Sequence, residues 1–175
     1  MQDRADAKVT ALLGGIAVIA LSLAMRVGLV TPGGWGRGIA AGASLAARWL
    51  HPFVHAGVLH AMVNVYVLWQ LVFLRRVTVC RMAVAYLVAC SCPTAVAVWQ
   101  WPAGDVDGGV GVVGLSGVVY ALMGWEMPSV ALRWRYNAVV ALWLLMGVVL
   151  GGVAVGMHLY CYVCGVAAGL IPRWR

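Results

Sequence analysis

The chain has 175 residues, of which 64% are hydrophobic and only 10% charged, with a formal net charge of +7. Soluble domains average about 25% charged residues, so too little polar surface is present to cover a globule in water. The basic residues sit at the ends of apolar runs and form no patch interleaved with polar readers, which excludes nucleic acid as the partner that the positive charge answers to.

Long apolar runs broken by short charged clusters are the pattern of an all-α polytopic membrane protein, and six spans are expected. The first covers about 9–30; its apolar stretch of about 20 residues is longer than a signal-peptide core and no small-x-small cleavage site follows, so it reads as a retained helix. Residues 31–55 are too Gly-rich and interrupted to span, and form a long first outer loop. Span two is about 58–74 and ends at Arg75-Arg76. Span three, about 80–101, carries Pro93 and closes on Trp99 and Trp101 as an interfacial belt. A Gly-rich loop, AGDVDGGVGVVG, leads into a short span four, about 115–127. Spans five and six are about 136–152 and 156–171. No repeat or low-complexity tract divides the chain, so residues 1–175 form a single domain.

Arg4 and Lys8 precede span one, Arg75, Arg76 and Arg81 separate spans two and three, Arg133 and Arg135 separate four and five, and Arg173 and Arg175 close the chain. With six spans these clusters share one side, while Arg26, Arg37, Arg48, Asp105 and Asp107 fall toward the other. Both termini are then cytoplasmic by the positive-inside rule, and the long loop and the Gly-rich loop face outward. The five cysteines lie in or at the ends of apolar runs, which points to buried packing and not to a disulfide framework.

Polar chemistry is concentrated in three places. HPFVHAGVLHAMVN holds three of the four histidines, His51, His55 and His60, with Asn64 after them. His60 and Asn64 are four apart and share a helix face at the start of span two. His55 to His60 is five residues, about 140° off that face, so a break near Gly57 separates two pairs and no single helix makes a metal site of the three. In GVVGLSGVVYALMGW, a Gly-rich loop enters an apolar helix through Gly-x-Ser-Gly. Ser116 then lies at a helix start, where free backbone N–H groups can stabilise an oxyanion, and Tyr120 is one turn on. Ten residues separate Ser116 from Glu126, roughly 15 Å of helix. In a hydrocarbon core about 30 Å thick, the serine lies below the outer surface and is reached through an aqueous cavity. GMHLYCYVCGVAAGL places the fourth histidine, His158, near the outer end of span six, with Cys161, Gly165 and Gly169 below it near one face. Small residues at intervals of four let helix backbones approach closely.

Each feature alone has a plain structural reading. Intramembrane histidines bond carbonyls, Ser beside Gly is packing glue, and Cys161-x-x-Cys164 sits in an apolar helix where zinc or redox chemistry is a poor fit. Glu126 and Asp105, at span edges, are expected to be solvated. Together, four histidines, one serine and one asparagine gather at the outer ends of spans two, four and six. Ionisable groups at such depth are functional by default, and a hydroxyl, an imidazole base and spare donors are what acyl transfer requires.

On these residues the chain resembles the rhomboid intramembrane serine proteases. The pattern His-x3-His-x4-His-x3-Asn meets His51, His55, His60 and Asn64 without a gap. The pattern Gly-x-Ser-Gly-x2-Tyr meets Gly114, Ser116, Gly117 and Tyr120, and the span-six His and a downstream Gly meet His158 and Gly165. The resemblance covers about residues 9–171 and is to a small bacterial six-span form. It implies a Ser116–His158 dyad without a required carboxylate, and an oxyanion hole from His60, Asn64 and the Ser116 backbone N–H. It also implies that Tyr120 packs on the His158 ring, that His51 and His55 are structural or water-positioning, and that Gly114 and Gly117 allow the tight backbone around the serine. No cofactor or metal is implied. The implied partners are transmembrane protein substrates within membrane lipid, cleaved near their outer ends at small residues after lateral entry between spans two and five. The implied location is a bacterial inner membrane with the active site open to the outer side.

Two departures stand out. The family's span six carries Gly three residues after the His; here it is Cys161, and a longer Ser116–His158 distance or a repacked contact is the expectation. The family's first-loop Trp-Arg pair appears reversed, as Arg48-Trp49, nearer the first His. Rhombosortase-like removal of a C-terminal sorting tail would use the same motifs. A catalytically inactive client-binding relative typically loses the Ser or the His, and this chain keeps both. A solute transporter would show inverted repeats, which the sequence lacks.

Overall fold

The computed structural model describes residues 2–31, 38–75, 77–98, 111–150 and 154–171. Arg37, Arg76, Trp99, Trp101, the charged part of the Gly-rich loop with Asp105 and Asp107, and Arg173 and Arg175 lie outside the described residues. Among the described residues every regular element is a helix: α1 (Gln2–Arg26), α2 (Leu45–Leu50), α3 (Val58–Leu74), α4 (Val79–Ser91), α5 (Thr94–Ala97), α6 (Ser116–Glu126), α7 (Arg133–Leu150) and α8 (Val155–Leu170). Two 3-10 turns, His51–Phe53 and Met127–Ser129, follow α2 and α6. By length and hydropathy α1 is able to cross a membrane, and Leu45–Phe53 with Val58–Leu74, bent by 76°, forms a second candidate.

Local chemistry explains the helix ends. α1 begins seven residues before the expected span because its polar first turns are still helical, with Asp3 favourably placed at the positive end of the helix dipole. It stops at Gly28, whose φ of +77° suits glycine, while Leu29 N–H bonds the Ala24 carbonyl at 2.9 Å. Thr78 caps α4 by accepting from Arg81 N–H at 3.2 Å. The expected third span does not run through: α4 ends at Ser91, and a separate short α5 follows. Pro93 supplies no N–H, and it pushes Cys92 out of the helical region.

α6 is the centre of the molecule. Ten of its eleven residues are buried, which is why its sequence is apolar on every side. α8, α4 and α3 surround it. The α6–α8 crossing is backbone on backbone. Gly124 sits against the Tyr162 carbonyl, Gly165 against Ala121 and Gly169 against Trp125, each so close that a Cβ could not be accommodated. α1 packs on α3 differently, with α3 side chains seated on an α1 glycine: a Cβ at Gly15 would come within 2.7 Å of the Val65 side chain and 2.8 Å of the Trp69 indole nitrogen. That nitrogen donates to the Ala11 carbonyl at 2.8 Å.

α7 is peripheral. Its hydrogen-bonding side chains lie near its start, where Tyr136 Oη donates to the Met123 carbonyl at 2.9 Å and Tyr162 Oη donates to Asn137 Oδ1 at 2.6 Å, and Val140 and Leu144 pack against the core further along. Leu142, Leu145 and Val149 beyond them are exposed, as are Leu13, Tyr66 and Val163 elsewhere on the exterior. Apolar surface this widespread fits lipid and not water.

Two expectations change here. Glu126 is buried and not solvated: its carboxylate pairs with Arg81 at 3.2 Å across the α4–α6 contact. A buried charge is tolerable only when paired. All five cysteines are free thiols; Cys90, Cys92 and Cys161 are buried, but Cys80 is exposed.

Candidate active site

The segment between α2 and α3 forms a cradle for the turn that precedes α6. Gly114 N–H donates to the His51 carbonyl at 2.8 Å, and Ile39 and Val112 exchange a pair of backbone bonds at 3.0 and 3.1 Å. Leu115 N–H donates to His55 Nε2 at 3.1 Å. Because that nitrogen accepts, the neutral His55 ring carries its proton on Nδ1. Burial, and secondarily the nearby His60, pulls the His55 pKa down to about 4, so the lone pair that Leu115 requires is present at neutral pH. His51 Nδ1 lies 2.7 Å from the Arg48 carbonyl and donates to it.

Gly114 has a φ of +116°, and a Cβ there would lie 2.9 Å from the His60 ring. Both facts demand glycine. His60 occupies the first turn of α3 and is exposed, with its ring edge-on to His55 at 5.1 Å. Asn64, one turn further, is buried, and its Nδ2 has no partner among the described residues. A buried amide donor left open is costly unless a ligand or water takes it.

Ser116 begins α6. The preceding Leu115 offers no side-chain cap, so the N–H groups of the first turn retain no intrahelical partner. The Ser116 Oγ lies 2.7 Å from His158 Nε2, and both side chains are buried. His158 stands in the first turn of α8. Its ring stacks on Tyr120, with centroids 4.3 Å apart and planes 12° apart. His158 Nδ1 has no partner among the described residues, and the ring's face is covered by the Tyr120 stack. Of the two consequences expected of Cys161, a longer Ser116–His158 distance or a repacked contact, the distance is not lengthened. Cys161 is fully buried, and its Sγ meets α6 at Gly117, where a Cβ would stand 3.4 Å from the sulfur and 2.5 Å from Met157. The room left by the missing side chain at Gly117 is taken by Met157, while the Cys161 sulfur stands at ordinary van der Waals distance from it.

A hydroxyl bonded to a neutral imidazole, beside open backbone and amide donors, is an arrangement able to perform nucleophilic acyl transfer. The Rhomboid domain profile matches residues 43–175, from just before α2 through α8.

The chain belongs to the rhomboid family. Searches of curated proteins and of solved structures return no match. Rhomboid proteins are integral membrane proteins, in general intramembrane serine proteases, and some members are inactive.

The sequence reading missed three parts of this rhomboid site. Arg48 reaches α4, donating from Nη1 to the Cys90 and Cys92 carbonyls at 3.2 and 2.6 Å and from Nη2 to Thr94 Oγ1 at 2.7 Å. Pro93 was the available signal, since a proline break leaves carbonyls that need donors. Trp49 accepts from the Tyr86 hydroxyl beside it. Met157 is fully buried against Gly117, and Gly124 makes the lower α6–α8 approach. Seven residues separate Gly117 and Gly124, about two helical turns, which was the readable sign of a shared face.

Proposed function

We propose that the protein is an intramembrane serine endopeptidase, with Ser116 as nucleophile and His158 as its general base. The observation that carries this reading is the 2.7 Å contact between Ser116 Oγ and His158 Nε2 in a buried setting. Ser116 Oγ attacks the scissile carbonyl carbon as its proton passes to His158 Nε2. The oxyanion accepts hydrogen bonds from His60, from Asn64 Nδ2 and from the Ser116 backbone N–H. The C–N bond then breaks, and His158 returns the proton to the leaving amine. A water hydrolyses the acyl-enzyme, giving its proton to His158, and collapse restores the Ser116 hydroxyl.

Six spans fit this chemistry, built from α1, α3, α4 with α5, α6, α7 and α8. α6 has eleven residues, about 16 Å at 1.5 Å per residue, and so starts inside a hydrocarbon layer about 30 Å thick. Both termini are assigned to the cytoplasm of a bacterial cell, with the serine open to the outer side of the inner membrane. The substrate is a transmembrane segment entering between α3 and α7, and the sparse packing of α7 supports that route. Removal of a C-terminal sorting tail would use the same groups.

Labelling by a serine-directed fluorophosphonate tests the assignment without a known substrate. The parent protein labels; Ser116→Ala does not, and His158→Ala labels at least about 10²-fold more slowly. Equal labelling of folded parent and Ser116→Ala proteins would sink the reading, and no labelling of the parent would favour an inactive client binder.

A further inference from the structure

Four of the five thiols gather where the end of α4 meets α8. Ser91 Oγ lies 3.4 Å from Tyr160 Oη across this contact, and a Cβ at Gly117 would stand 3.2 Å from Ala89 Cβ and 3.4 Å from Cys161 Sγ. Cys90, Cys92 and Cys161 are buried, and Cys164 is half-buried. The Cys161 thiol is within electrostatic reach of Cys92, Cys164 and Cys90, and the Cys92 thiol is within reach of Cys164. The Tyr160 hydroxyl interacts with Cys164 and Cys92 as well. No three His, Cys, Asp or Glu side chains among the described residues converge as a metal site, so the chemistry open to these thiols is pairwise.

Geometry selects one pair. Cys161 and Cys164 are three apart on one helix, with Cβ atoms roughly 5–6 Å apart, whereas a disulfide needs about 3.5–4.5 Å. Cys161 is fully buried, its Sγ facing Gly117 of α6. Cys90 lies within the last turn of α4, its Sγ 4.0 Å from the Trp49 carbonyl of the first loop. Cys92 is the C-cap of α4, with ψ at 126° already outside the helical region, and Pro93 after it has no N–H to continue the ladder. Cys92 can therefore move toward α8 without breaking a helix. Cys164 is the member of the group that a reagent meets first. We propose that Cys92 and Cys164 are a redox-active pair, which a disulfide-bearing oxidant converts to one inter-helix disulfide. The Cys164 thiolate attacks one sulfur of the oxidant RS–SR, and one RSH leaves with the proton that Cys164 gave up. The Cys92 thiolate then attacks the Cys164 sulfur of the mixed disulfide, and the second RSH leaves. Two electrons pass from the protein to the oxidant. The new bond ties the break after α4 to α8, the helix that carries His158, and loads the Cys92 carbonyl that Arg48 holds at 2.6 Å. In the orientation proposed above the α4 end lies toward the outer side, where disulfides persist. The pair itself does not depend on that orientation.

The test uses the full chain in detergent, reduced and then freed of reductant, with Cys80→Ala to remove the exposed thiol at the other end of α4. Dipyridyl disulfide is the oxidant, and peptide mass spectrometry after maleimide blocking maps the bonds. The expected product is a Cys92–Cys164 crosslink, reversed by dithiothreitol, with Cys90 and Cys161 recovered as free thiols. Its formation raises the unfolding midpoint, because a crosslink restrains the unfolded chain. In Cys92→Ala the reaction stops at a pyridyl mixed disulfide on Cys164, and the midpoint does not rise. In Cys164→Ala the crosslink is lost and Cys92 stays unmodified. A folded parent that gives only mixed disulfides, a crosslink between another pair, or no reaction at these thiols overturns the proposal. Modification of Cys92 in folded Cys164→Ala at the parent's rate overturns Cys164 as the point of entry. None of these outcomes bears on the Ser116 chemistry.

Discussion

Gly165 of α8 rests directly on the Ala121 carbonyl of α6, leaving no space for a Cβ. This contact lies below the place where Ser116 and His158 meet, and it sets how closely their two helices run. Gly165→Ala must push α8 away from α6 or distort one of them. Overpacking of this kind costs about 1–3 kcal/mol, and here it also stretches the 2.7 Å Ser116–His158 contact. Thermal unfolding should show the lost stability, and fluorophosphonate labelling should slow. Unchanged labelling in Gly165→Ala would mean that the dyad does not depend on this crossing.

His60 and Asn64 should affect rate more than stability. Removing one oxyanion donor costs roughly 10²–10³ in turnover. His60→Ala and Asn64→Ala are each expected to reduce cleavage of a model transmembrane substrate by about that factor. The exposed His60 should leave the melting temperature nearly unchanged. Full activity in both variants would remove these residues from the oxyanion hole.

Arg48 joins the first loop to the α4 end through three acceptors. Hydrogen bonds from a charged donor contribute about 1.5–3 kcal/mol, so Arg48→Ala should lower unfolding stability by roughly that amount. Arg48→Lys should not restore it, because a point-charge ammonium cannot reproduce the guanidinium fork. Full rescue by Lys would show that charge alone holds the loop.

His55 makes stability depend on pH. Its folded pKa is about 4, against an ordinary value of 6.5. Between these values the unfolded chain takes up a proton that the folded protein refuses, so stability rises with pH across this window. The contribution is complete above about pH 6.5 and is lost as pH falls toward 4. The total is up to about 3 kcal/mol. Unfolding measured from pH 7 to 4 should show this slope, and His55→Gln should flatten it. An unchanged slope in the variant would assign the effect elsewhere.

The four-residue spacing of His60 and Asn64, the Gly-x-Ser-Gly entry and the distant His158 were legible because each rests on local periodicity. So was the start of α3 just after Gly57. Glu126 was misread because its partner, Arg81, is 45 residues away and no local signal brings them together. The broken third span was hidden by continuous hydropathy on both sides of Pro93. Arg48 read as a displaced loop residue until its acceptors on α4 were known.

The sequence by itself determined an apolar helical chain, the residue types for acyl transfer and their order along it. These follow from composition and from spacing within single helices. Only the tertiary structure decided that Cys161 is compatible with a short Ser116–His158 contact. That outcome depends on the backbone approaches at Gly124 and Gly165 that close packing between two different helices settles.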